Sequence, residues 1–115
     1  MPKIDWGGVG GGTLVGTGVS VPFVIVSFFA AGFGHGTYKP MILCFPYTML
    51  WADVVGLITV PAIFLGLIQF PAYGALVGWS IAKRRSGPLA LALGVVHVAV
   101  AATAFSMAAK TGFLP

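Results

Sequence analysis

Two polar residues able to take part in chemistry lie inside otherwise uncharged apolar runs, Gln69 and His97. A glutamine amide carries two donor hydrogens and an acceptor oxygen, and a neutral imidazole carries one donor and one acceptor. The two can therefore satisfy each other where water is absent. They flank the basic tripeptide Lys83-Arg84-Arg85, each about 20 Å from it if the intervening chain is helical. On antiparallel helices joined at that tripeptide the two side chains reach the same depth, so an intramembrane polar pair is expected. Ionisable groups at membrane depth carry function by default. A histidine is mostly uncharged at neutral pH, which weakens that default. We expect the pair to be a structural cross-link first and a proton or ligand path second.

The other candidates do not converge. Asp53 stands at the edge of the longest apolar run, and His35 lies in a polar loop. Cys44 is the single cysteine, so one chain can make no disulfide and no multi-thiolate metal centre. His35, Cys44 and Asp53 show no metal-ligand spacing. A haem-ligand role for His97 would need a second histidine from another copy or a partner. No G-x-S-x-G, H-E-x-x-H or intramembrane acidic pair is present. The opening MPKIDWGGVGGG fits neither phosphate-binding glycine spacing. The expectation is a protein that is not an enzyme and holds no metal or cofactor.

Composition sets the class. The chain has 115 residues, 58% of them hydrophobic and 7% charged. Soluble domains carry about 25% charged residues, so a water-facing surface cannot be built from this set. The net charge of +4 does not imply nucleic acid. Half of the basic residues form the tripeptide at the end of an apolar run, as in a cytoplasmic positive-inside cluster of Lys83, Arg84 and Arg85. The expected class is all-α integral membrane, with the lipid bilayer as its surroundings.

Those residues must be positioned by long helices. The glycine-rich stretch 1–12 is expected to be a flexible tail, and 13–115 a single helical membrane domain. Spans are expected at about 13–34, 54–82 and 88–109. A charge-free helix over 54–82 would be about 43 Å long, more than the roughly 30 Å of hydrocarbon in a bilayer. Trp51 and Trp79 bracket it as interfacial anchors. Pro61 and Pro71 should bend it. The apolar segment 41–52 is too short to cross, and Pro40 and Pro46 break it, so a short interfacial or re-entrant helix is expected there. The alternative is four spans, with a hairpin near Pro61. Three are preferred because that hairpin would lack polar groups and would bury Asp53 within a span.

Small residues suggest where helices meet. Gly74 and Gly78 form a G-x-x-x-G pair, and Gly94, Ala101 and Ala104 share one face of the last span. These positions are expected to be helix-packing sites. With so little polar chemistry, the expected role is a non-catalytic accessory, assembly or regulatory subunit. Its partner would be a membrane protein or further copies of itself. The alternative is a small homo-oligomeric transporter or channel. The expected location is a bacterial cytoplasmic (inner) membrane with the N-terminus in the cytoplasm.

Overall fold

The computed structural model describes residues 3–32, 36–81 and 83–111. Among the described residues there are five helices: α1 (Trp6–Ala31), α2 (Lys39–Cys44), α3 (Pro46–Val55), α4 (Val60–Ile81) and α5 (Ser86–Thr111). Three of them, α1, α4 and α5, are long and apolar enough to cross a membrane.

The first helix begins earlier than its glycines suggest. Asp5 caps it, its Oδ1 accepting from the Gly8 N–H at 3.2 Å. Residues 6–12 are therefore helical, which corrects the expected flexible tail over 1–12. The reason is tertiary. Gly8, Gly12 and Gly16 face Gly78, Gly74 and the Phe70–Pro71 backbone of α4 so closely that a Cβ on any of them would strike an opposing carbonyl. Close packing of this kind offsets the roughly 1 kcal/mol per residue by which glycine disfavours helix. At its other end α1 stops at Gly32, whose φ of 56° is left-handed. The expected end at 34 lies outside the described residues.

The order of those contacts makes α1 and α4 antiparallel, since Gly8 meets Gly78 while Gly16 meets Phe70. An intervening extra span would make them parallel. The hairpin of the four-span alternative is also absent. Pro61 sits in the first turn of α4, where a missing N–H costs nothing, and the Thr59 hydroxyl accepts from the Ala62 N–H at 3.4 Å.

The expected 54–82 span begins later than predicted. Val54 and Val55 belong to α3, which ends at Gly56 with φ 84°. Trp51 and Trp79 thus lie on different helices and do not bracket one. The Trp51 indole instead donates to the Thr59 hydroxyl at 3.1 Å, across the turn between α3 and α4. Residue 82 lies outside the described residues. The helix that remains, α4, has 22 residues and a length of about 33 Å.

Between the long helices, α2 and α3 form a hairpin. Its start is tied to the end of α1, where the Thr37 N–H donates to the Ala30 carbonyl at 2.8 Å. Its tip, at Leu43–Phe45, reaches Gln69 and His97 near the middle of α4 and α5. It then returns, so that Asp53 meets Thr111 at the end of α5. The segment expected over 41–52 is therefore two helices, broken at Phe45 (φ −130°, ψ 59°), because Pro46 cannot continue the first. Ile42 and Met49 of the hairpin pack on Ala104 and Ala108 of α5 as the buried core.

Candidate functional site

The hairpin tip creates a problem that α4 and α5 solve. Ending α2 at Cys44 and restarting at Pro46 leaves carbonyls without helical donors, and buried backbone groups must be paired. Gln69 donates from Nε2 to the Cys44 carbonyl at 3.0 Å. His97 places Nε2 at 2.8 Å from the Leu43 carbonyl. A carbonyl can only accept, so Nε2 carries the proton and the Nδ1 of the neutral ring is an acceptor.

The structure brings Gln69 and His97 together, with Nε2 of Gln69 3.3 Å from Nδ1 of His97. The same Nδ1 lies 3.3 Å from the Tyr73 hydroxyl. Tyr73 in turn meets the Tyr47 hydroxyl at 2.9 Å. Three elements build the cluster: Tyr47 comes from α3, Gln69 and Tyr73 from α4, and His97 from α5. Gln69 is buried, with 4% of its surface exposed. Its Oε1 meets no donor among the described residues. The rings of Phe70, Tyr73 and Tyr47 stand around the imidazole at centroid distances of 6.0–6.5 Å.

Neither tyrosine stands out in the sequence as a partner of Gln69 and His97. Tyr73 lies one helical turn after Gln69, so the i, i+4 spacing places it on the same face. That signal was available. Tyr47 could be placed only once the hairpin was known to fold back.

Asp53 stays apart from this cluster, whereas Cys44 meets it through its backbone carbonyl. Asp53 is buried, and its Oδ1 accepts from the Thr111 hydroxyl at 3.3 Å. Burial pushes its carboxyl above the usual carboxylate range, and the Thr111 hydroxyl offsets this only in part. Its Oδ2 has no partner among the described residues. Cys44 lies at the hairpin tip, half-buried. His35 lies outside the described residues. No cluster of three metal-ligating side chains occurs among the described residues.

The small-residue positions separate into two kinds. Gly74 and Gly78 pack against Gly12 and Gly8, with no room for a side chain. Ala101 and Ala104 are buried. Gly94 does not share that role, which corrects the expected stripe: nothing lies within 4 Å of where its Cβ would be. It instead lines an open cleft of about 350 Å³ between α4 and α5, beside Tyr73 and His97. Lys83 rests its ammonium 3.8 Å from the centre of the Trp79 ring, beside the turn that joins those two helices.

The geometry defines an all-helical protein of three long apolar helices with a half-length helical hairpin wedged among them, its tip capped by an amide and an imidazole. No protein-family model, no curated protein and no solved structure matches the chain.

Proposed function

We propose that the chain is a multi-pass protein of a bacterial cytoplasmic membrane and serves there as a non-catalytic accessory, assembly or regulatory subunit. The observation that carries this reading is the division of labour on α5. Its C-terminal half is committed to the hairpin through Ala101, Ala104 and Ala108. Its N-terminal half leaves Leu91, Val95 and Val98 exposed by 60–69%. Gln69 and His97, the two strongly polar groups at mid-length, both close the hairpin tip. Helix surface is thus offered to a neighbour, and little polar chemistry is left over.

The orientation follows from charge. With α1 and α4 antiparallel and α5 returning, Lys3 shares a side with Lys83, Arg84 and Arg85, opposite Lys39 and Lys110. The basic side is the cytoplasmic one. Reporter fusions at residues 1 and 115 test this, with cytoplasmic and external readings expected. The subunit reading is tested by extraction in mild detergent and affinity purification, where a stoichiometric membrane partner is expected. A monodisperse single chain with no partner overturns it.

A second reading rests on the hairpin. Helices that dip to mid-depth and return are tolerated where they are buried in protein or line a water-filled path. Several copies arranged around such hairpins would form a small homo-oligomeric channel or transporter. Its signature is a pH-dependent flux in liposomes that is lost in His97→Ala.

A further inference from the structure

More donors converge on His97 Nδ1 than its one lone pair can accept. Its Nε2–H is committed to the Leu43 carbonyl at 2.8 Å, so Nδ1 offers one lone pair. Two donors converge on that lone pair, Gln69 Nε2 and the Tyr73 hydroxyl, each at 3.3 Å. Gln69 is buried, its first N–H serves Cys44, and its second has no other acceptor among the described residues. The amide therefore takes Nδ1. Tyr73 can turn towards Tyr47 at 2.9 Å, but the Tyr47 proton is then the one left over. Whichever way the two hydroxyls turn, one proton has no acceptor among the described residues.

When Tyr47 donates to Tyr73, the proton left over is the Tyr73 hydroxyl's, and Tyr73 is part of the wall of a cleft. Tyr73 and His97 line the space of about 350 Å³ between α4 and α5, within the roughly 300–1,000 Å³ typical of small-molecule sites. The remaining walls are apolar, and the cleft stays open because Gly94 and Ala90 bring almost no bulk to it. The geometry points to this cleft as a binding site for a lipophilic molecule that carries a carbonyl oxygen, with the Tyr73 hydroxyl donating to that oxygen.

In the bound arrangement every proton is used. Tyr47 donates to Tyr73, Tyr73 to the ligand, and Gln69 to His97. An alcohol head is disfavoured, because the acceptor lacking a donor, Gln69 Oε1, is sealed from the cleft. A phospholipid ester is also disfavoured. Tyr73 and His97 lie about 15–18 Å along their helices from the basic turn, deep in the hydrocarbon and below ester level. That last argument rests on the membrane reading above.

The test uses the purified full chain in detergent, with decylubiquinone as the carbonyl probe and decylbenzene as the matched probe without an acceptor. Binding is read by isothermal titration. Decylubiquinone should bind saturably and decylbenzene at least about threefold more weakly. Tyr73→Phe should weaken decylubiquinone by about threefold to tenfold, the worth of one neutral hydrogen bond, and leave decylbenzene unchanged. Gly94→Leu should fill the cleft and remove both while keeping the helical circular dichroism. If Gly94→Leu loses its helical signal, Ala90→Leu takes its place. Equal binding of both probes, no effect of Tyr73→Phe, or displacement of decylubiquinone by dioleoylphosphatidylcholine each overturns the proposal. A chain that purifies without detergent defeats the membrane reading instead, and so is told apart from failure at the cleft.

Discussion

The imidazole Nε2 of His97 stands 2.8 Å from the carbonyl oxygen of Leu43, across 54 residues of chain. The histidine holds a backbone group that its own helix cannot satisfy. Gln69 does the same for Cys44. The two side chains are therefore caps of a broken helix before they are partners of each other. If they served only each other, replacing both with leucine would leave nothing unpaired. Because each holds a carbonyl, Gln69→Leu and His97→Leu should each cost about 1–3 kcal/mol, and the double replacement should cost roughly their sum. Reversible unfolding in mixed micelles measures this. A double variant as stable as the parent would show that water or lipid can cap the tip.

Glycines on α1 should divide sharply by face. Gly12→Ala drives a methyl into the Gly74 carbonyl and should destabilise by about 1–3 kcal/mol. Gly11→Ala and Gly18→Ala meet nothing within 4 Å, so each should gain up to about 1 kcal/mol from helix propensity. Thermal melts of the three variants separate the faces. Similar melting for all three would mean that α1 and α4 do not touch through these residues.

Arg84 is the one non-glycine residue with positive φ among the described residues, at 52°. Its N–H bonds to the Ile81 carbonyl at 3.0 Å, and the next N–H, from Arg85, reaches Ser80 at 3.2 Å. That pairing closes α4 with a left-handed residue at a position where glycine is usual. Arg84→Gly should raise stability by about 0.5–1 kcal/mol, seen as a higher melting temperature. A lower one would mean that the guanidinium makes a contact worth more than the backbone strain.

Burial raises the Asp53 carboxyl, so the folded chain keeps its proton at pH values where the unfolded chain has lost it. Stability must then fall as pH rises from about 4 through the folded value, and level off above it. Asp53→Asn should melt higher than the parent at pH 7 and lack that step. Melting temperatures from pH 3.5 to 8 give the comparison. An asparagine variant that is less stable at pH 7 would show that the ionised carboxylate has an attractive partner.

Much of this arrangement was legible in the residues. Long charge-free runs around a basic turn mark α4 and α5, and equal spacing from that turn places Gln69 beside His97. The boundaries were less legible, for two physical reasons. Glycine reads as flexible in sequence, yet Gly8 and Gly12 are helical because α4 leaves no space for anything larger. The apolar run through Asp53 looks continuous, yet Gly56 takes a left-handed turn that ends α3 before α4 begins. Neither effect is local. Tyr73 shares a helical face with Gln69 and could have been found, whereas the role of Gly94 depends on how far α5 stands from α4.

The caps on the hairpin also set an order of assembly. Cys44 waits for a donor 25 residues downstream, and Leu43 for one 54 residues downstream. When α2 and α3 leave the ribosome, the groups that will hold their tip have not been made. The tip is not fully capped until α5 has been synthesised and has turned back beside α4. In the membrane setting proposed above, α2 and α3, too short to cross a bilayer, wait near its surface until then. Each nascent chain thus passes through a stage in which α4 can already hold Cys44 while Leu43 has no partner from α5.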